Sequence, residues 1–265
     1  MAAYQSILAY DGTEFAGFQR QARRRTVQGV LEQVLRRLGW TERALVAAGR
    51  TDRGAHARGQ VIAFRLAWRR SPAELTAALN AHLPGDVSVR ETRPADEGFH
   101  PRYSAVRRCY SYSLTAAPTR DPLAERFAWR IWPALDDAAI RAACPVLLGE
   151  HDFRAFGPAP RKDGGTRRTV FRSEWQTEGG GRTYRIEADA FLYRMVRRIV
   201  SALVSVGRGD VGPEVLMSLL EDPARRWQGS LAPAHGLCLD AVIYEESGDS
   251  TGWHPLAGRA DGTQE

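Results

Sequence analysis

Strand-like and helix-like hydrophobic periodicities alternate along this chain, and the alternation runs twice with no long linker between. That pattern confines the fold to mixed α and β layers. Tyr4 to Tyr10 reads as a strand, followed by an Asp-Gly-Thr turn signal. From Thr26 the apolar residues Val27, Val30, Leu31, Val34, Leu35 and Leu38 recur at steps of three and four, and Gly39 stands where a helix should stop. Short strands at Leu45 to Ala48 and Gln60 to Phe64 bracket the polar segment Gly49 to Gly59, a loop whose residues are expected to be presented rather than packed. Ser71-Pro72-Ala73-Glu74 has an N-cap Ser, Pro at the first helical position and Glu at the third, opening a helix to about Asn80. Strands follow at Val87 to Thr92 and Cys109 to Leu114, with Tyr110 and Tyr112 on one face.

The second half repeats this grammar. A helix starts near Asp136, with Pro145 distorting its last turns. Strands are expected at Thr169 to Thr177 and Thr183 to Ala190, a long helix at Leu192 to Val206, a short one at Pro213 to Leu220 and a final strand at Leu237 to Tyr244. The expected architecture is α+β: two domains, residues 1–105 and 106–246, with a disordered tail at 247–265. Pro158 to Thr166, rich in Pro, Gly and charge, reads as a mobile surface loop.

Composition narrows the function classes. With 43% hydrophobic and 26% charged residues, the chain of 265 can bury a real core. Arginine punctuates every apolar segment, so none reaches the roughly 18 to 20 apolar residues a membrane span needs. The start of the chain lacks the basic and apolar regions of a secretory signal, which makes the cytosol the expected compartment. Cys109, Cys144 and Cys238 are scattered and odd in number, as expected of reduced thiols and not of a disulfide framework or a Cys-rich zinc site. The net charge is +6 and Lys162 is the only lysine, a balance that suits a polyanion partner contacted by planar guanidinium groups.

The densest chemical constellation is Gly49-Arg50-Thr51-Asp52-Arg53-Gly54-Ala55-His56. A carboxylate between two arginines is favoured in its charged form, and the flanking glycines let backbone approach a ligand, so Asp52 is a candidate nucleophile or electrostatic stabiliser. The same residues also read as a solvated turn. His56 has no second ligand at metal spacing and reads as a structural histidine of its own loop. Arg194, Arg197 and Arg198 interrupt an otherwise apolar helix, and an acid is expected to meet Arg197, with Asp52 the candidate. The runs Arg20 to Arg25, Arg107-Arg108 and Arg161 to Arg168, with Phe18, Tyr110 and Trp175 interleaved, read as a phosphate-tracking surface. No Gly-x-Gly-x-x-Gly fingerprint, Walker loop or Gly-x-Ser-x-Gly elbow is present, which disfavours nucleotide-cofactor chemistry.

Seven segments in order, YDGTEFAGFQRQ with TVQGVLEQVL, AGRTDRGAHARGQVIAF, LNAHLPGDVSV, FHPRYSAVRRCYSY, GEHDFRAF, FLYRMVRRIV and APAHGLCLDAVIY, resemble the tRNA pseudouridine synthase A family. The resemblance spans about residues 4 to 244. It implies two α+β domains with antiparallel-rich sheets joined around a basic cleft, a homodimer, tRNA as partner, and no metal or organic cofactor. The implied reaction is conversion of uridine to pseudouridine at positions 38–40 of the anticodon stem-loop. By motif match Asp52 is the catalytic aspartate, Arg50 acts near the flipped-out nucleotide, Tyr110 stacks on the target uracil, Arg197 partners the carboxylate and Leu237 packs against the base. Arg53, His56, Arg20 and Arg194 are the further expected substrate contacts. Ala55, Pro101 and Ser201 depart from the family's common Val, Ala and Gly at positions away from the proposed reacting groups. A non-catalytic RNA-binding protein and, more weakly, a metal-dependent nuclease using Asp52 and His56 are the competing readings.

Overall fold

Helix caps place the first helices. Thr26 accepts from the Gly29 backbone N–H and opens α1 (Val27–Arg37), which buries Val27, Leu31, Val34 and Leu35. Ser71 and Glu74 form a reciprocal capping box at the start of α2 (Pro72–His82). The remaining helices are α3 (Asp137–Ala143), α4 (Met195–Gly207) and α5 (Val215–Glu221). The strands are β1 (Ala2–Tyr10), β2 (Val46–Ala47), β3 (His56–Leu66), β4 (Val87–Pro94), β5 (Ala105–Ala116), β6 (Trp129–Ile131), β7 (Gly149–Asp152), β8 (Arg167–Glu178), β9 (Gly181–Ala188) and β10 (Leu237–Tyr244). This computed structural model describes residues 1–159 and 164–245. The expected tail at 247–265, and the central residues of the expected loop at Pro158 to Thr166, lie outside the described residues.

One ten-stranded mixed sheet runs through the molecule in the order β4-β1-β3-β10-β5-β9-β8-β7, with β2 added to β3 and β6 to β5. The last strand in sequence is therefore central in space. β10 pairs parallel with β3 at Cys238 to His56 and Leu239 to Ala57, and antiparallel with β5 along Leu237 to Tyr244. Two buried clusters flank it. One gathers β1, α1, β3, α2 and β4 around Leu8, Leu35, Ile62 and Leu79, and the other gathers β5, β8, β9, α3, α4 and α5 around Tyr112, Tyr184, Ile199 and Leu203. Leu237 belongs to the second and Leu239 to the first, while Tyr110 packs against both. No described helix is long and apolar enough to cross a membrane.

Three expectations need correction. The segment Gly49 to Gly59 is not a loop throughout: β3 begins at His56, and Thr51, Ala55 and His56 are buried. The parallel pairing with β10 draws His56 and Ala57 into the sheet, an override by distant sequence that local polarity does not signal. The helix expected from Leu192 starts at Met195, because Arg194 sits in the left-handed region at φ 61° and breaks the helical path. Phe18 and Trp175, read as surface aromatics, are core residues; Trp175 donates its indole N–H to Asp137 at 2.8 Å. Near Pro145 the helix passes into a 3-10 turn at Cys144–Leu147, as a proline lacking its N–H requires.

Candidate active site

The Asp52 loop is fixed from behind by the chain's first motif. Tyr10 and Thr51 share a buried hydrogen bond of 2.8 Å between hydroxyls. Phe18 donates its backbone N–H to the Thr51 carbonyl at 3.1 Å, and Gln60 donates its amide to the Gly49 carbonyl at 3.0 Å. Asp52 itself closes a turn, its carbonyl accepting from the Ala55 N–H at 3.1 Å. Gly12 of the Asp-Gly-Thr turn lies so close that a Cβ there would sit 1.9 Å from the Ala55 carbonyl oxygen, so no other residue fits. The loop and its floor thus interlock through backbone.

Asp52 meets a guanidinium delivered by the other half of the molecule. Arg197, on the first turn of α4, donates Nη1 to Asp52 Oδ2 at 2.5 Å and Nε to the Ala232 carbonyl at 2.7 Å. The pair is mostly withdrawn from water, with side-chain exposures of 11% for Arg197 and 20% for Asp52, so screening is weak. Arg194 Nε stands 3.8 Å from the same oxygen. Both cations address Oδ2, and Oδ1 has no protein partner among the described residues.

Beside the carboxylate, Tyr110 is half-buried and meets the Phe191 ring edge-on, with centroids 5.0 Å apart. Burial pushes its hydroxyl up to about 12; Arg108 opposes this and the charge of Asp52 adds to it, so the phenol stays protonated. Leu239 lies opposite Tyr110, and Leu237 opposite Tyr112, across the β5–β10 ladder. The period-two alternation puts Leu237 on Tyr110's face of the sheet.

The segment 230–236, irregular until a 3-10 turn at Ala234–Gly236, completes the site through its carbonyls. Ser201 donates to the Ser230 carbonyl, Arg197 to Ala232, Tyr112 to Pro233 at 2.7 Å and His56 Nε2 to His235 at 3.0 Å. Ser201 also accepts the Trp227 indole N–H at 3.1 Å. His56 Nδ1 accepts the Gly12 N–H at 3.0 Å, which assigns its proton to Nε2. Burial holds the imidazole below its ordinary pKa, against the attraction of Asp11. His56 thus ties the first motif to the last one and does not point to Asp52. The residues 230–236 carry no signal for this role, because every residue offers a carbonyl; only the donors Ser201, Tyr112 and Arg197 are distinctive.

The other expected contacts are placed differently. Arg50 and Arg53 are exposed on the Asp52 loop. Arg20 is engaged by Glu32 of α1 at 2.5 Å, so it does not join the Asp52 cluster. A cleft of about 270 Å³ opens beside His56 between Asp11, Asp86, Phe127 and Cys238, with both carboxylates already paired, Asp11 to Arg126 and Asp86 to Arg25. It does not include Asp52. Among the described residues no cluster of three or more His, Cys, Asp or Glu is arranged to hold a metal ion.

Comparison with known proteins bears on what this arrangement does. A family model described as tRNA pseudouridine synthase matches residues 7–104 and 143–245, which include Asp52, Arg194, Arg197 and Leu237 and leave Tyr110 between the two matched stretches. A curated relative from Pseudothermotoga lettingae, tRNA pseudouridine synthase A, is 40% identical over 245 residues, covering 92% of this chain and 100% of the relative. Relatives of the same name from Geobacillus kaustophilus and Syntrophotalea carbinolica are 41% and 39% identical, covering 91% and 92% of this chain and 93% and 97% of their own.

Proposed function

The chain belongs to the tRNA pseudouridine synthase family, and from that premise we propose that it isomerises uridine at positions 38–40 of the anticodon stem-loop with Asp52 as the reacting carboxylate. The reaction breaks the bond from the ribose anomeric carbon to uracil N1, turns the base, and joins the sugar to C5; C5 gives up its hydrogen as a proton to solvent and N1 takes one up. Nothing is added or removed overall, so one acid group suffices, with no external reductant or energy source.

The observation that carries this reading is the asymmetry of Asp52. Arg197 and Arg194 both hold Oδ2, which orients the carboxylate and leaves Oδ1 for an electron-poor ribose or for the base itself. The target uridine must leave the stack, at a cost of a few kcal/mol. Stacking on Tyr110 and contact with Leu237 offset that cost, since a base on an aromatic ring is worth about 1–3 kcal/mol. Tyr110, kept as the neutral phenol, offers a ring face without adding a second negative charge beside Asp52. The exposed Arg50 and Arg53 contact the backbone around the extruded nucleotide, in a recognition mode governed by shape and phosphate. The setting is the cytosol and the working form a homodimer; a sedimentation equilibrium mass of one chain would refute the latter.

Asp52→Ala tests the reading. Release of tritium from C5-labelled uridine in tRNA should fall by at least about 1,000-fold, the scale of losing a reacting group, while tRNA affinity changes little. Pseudouridine formation at the wild-type rate in that variant refutes the assignment.

A further inference from the structure

We propose that Tyr193, with the Arg194 guanidinium lying against its ring, is a stacking platform for the nucleobase adjacent to the extruded uridine. This rests on Asp52 being the site of uridine isomerisation.

Tyr193 is 53% exposed, whereas the other aromatics around Asp52 are packed: Tyr110 and Phe191 against each other, Tyr112 in the core. A single exposed aromatic is ordinary on a protein surface and argues nothing alone. The distinguishing feature is its cation. Arg194 Cζ stands 4.7 Å from the centre of the Tyr193 ring, and Nε of the same side chain stands 3.8 Å from Asp52 Oδ2. One guanidinium therefore spans from the ring to the reacting carboxylate. Among the described residues three other exposed aromatics have arginine neighbours, Tyr103 with Arg102, Phe127 with Arg126 and Phe171 with Arg107, and none of these cations is paired with Asp52. Arg126 is bound to Asp11 and Arg107 to Glu187.

The backbone is built to hold this arrangement. Arg194 adopts φ 61°, a left-handed conformation that a bulky residue holds only where surrounding structure enforces it. The enforcement is visible: Arg198 donates Nη1 to the Tyr193 carbonyl at 2.8 Å and to the Phe156 carbonyl at 3.1 Å. Gly157 approaches so closely that a Cβ would fall 2.7 Å from the Tyr193 carbonyl oxygen. The strained residue turns Arg194 toward Asp52 and leaves Tyr193 facing outward beside it.

Extruding a uridine removes a stacking partner from its neighbour in the strand. Tyr193 replaces that partner, so its contribution arises only in the extruded complex. Tyr193→Ala is expected to lower kcat/KM on an anticodon stem-loop about tenfold, the effect of one stacked base, and Tyr193→Phe to stay within about twofold because the ring face is kept. The deciding measurement uses stem-loops abasic at the position 5′ or 3′ to the target. On one of them the Tyr193→Ala penalty should vanish, because the base that the ring holds is gone. A second readout needs no turnover: 2-aminopurine at that position should be quenched on binding to Asp52→Ala and not to Asp52→Ala with Tyr193→Ala.

Wild-type kcat/KM in Tyr193→Ala, or a penalty undiminished on both abasic substrates, overturns the platform. Failure of the wild-type protein to form any pseudouridine on the intact stem-loop instead overturns the Asp52 reading, so the two are told apart. Far-UV circular dichroism of Tyr193→Ala should match wild type, since the side chain packs into no core.

Discussion

The two regions that meet at Asp52 are built by opposite means. The Asp52 loop, residues 48–55, is held by side chains and close backbone contacts from two nearby stretches: the Tyr10 hydroxyl and the side-chain-free Gly12 of the first motif, and the Gln60 amide of β3. Residues 230–236 are held by their carbonyls, which donors on α4, β5 and β3 collect. The first region sets where the acid lies. The second sets where its arginine points, because Arg197 is gripped at both Asp52 and Ala232. Precision at the site therefore depends on a stretch with no functional side chain of its own.

Removing the shared arginine breaks both regions at once and has the largest expected effect. Arg197→Ala leaves Asp52 without its closest cation and the Ala232 carbonyl without its donor. A fully buried pair loses 3–5 kcal/mol when one partner is removed; the partial exposure of Asp52 reduces this to about 2 kcal/mol. The urea unfolding midpoint should fall accordingly, and pseudouridine formation should fall with it. Arg197→Lys separates the two roles. It keeps a cation for Asp52 and loses the planar fork that reaches Ala232, so more stability than activity should return. Wild-type stability and turnover in Arg197→Ala would show that the pairing matters to neither.

Ser201→Ala probes the second region alone. The hydroxyl links the Trp227 indole to the Ser230 carbonyl, one turn along α4 from Arg197. Its loss leaves two polar groups to find water, at about 1 kcal/mol for each. A loosened 230–232 backbone lets the Ala232 carbonyl drift from Arg197, so kcat should drop severalfold while KM for tRNA holds. Ser201→Thr, which keeps the hydroxyl, should recover kcat. Equal losses in the Ala and Thr variants would mean that packing, not the hydrogen bonds, is what Ser201 supplies.

The same contrast explains what the sequence could convey. α1 is legible from its apolar residues at steps of three and four, α2 because Ser71 and Glu74 are caps whose side chains do the bonding, and the Asp52 motif because its residue types are distinctive. The start of α4 was misread because Leu192 is buried and continues the apolar spacing, while nothing marks Arg194 as left-handed when glycine is the usual tenant of that conformation. The entry of His56 into β3 was hidden for a different reason: its neighbour in the sheet, Cys238, is far along the chain. The carbonyl-held segment had the right residues in view and no visible role for them. Tyr193 carries no signal in the sequence, because an exposed tyrosine acquires meaning only from the guanidinium that joins it to Asp52.

His56, the tie between the two regions, gives the smallest effect and the clearest sign. In the fold its Nε2 proton goes to the His235 carbonyl and its Nδ1 lone pair to the Gly12 N–H, so the neutral form is the one both regions require. Burial lowers its pKa below that of the unfolded chain, with Asp11 and the His235 carbonyl opposing the shift only in part. Its contribution is therefore complete above the unfolded value, about 6.5, and is lost as pH falls through the lower folded value. His235, also depressed by burial, titrates in the same direction. The charged groups near His56 are Asp11, itself bound to Arg126 and the Thr13 hydroxyl, the exposed Arg58, and the half-buried Asp86 of the adjoining cleft, which is paired with Arg25. Asp11 stays a carboxylate through this range, since those bonds hold its pKa below the ordinary value despite burial. Wild-type protein should lose stability between pH 7 and pH 5 by more than His56→Gln does, because glutamine can still donate to His235 and carries no proton to gain. Urea midpoints measured for both proteins across that range decide it: parallel pH curves would mean that the imidazole does not titrate as a link between loop and carbonyl segment.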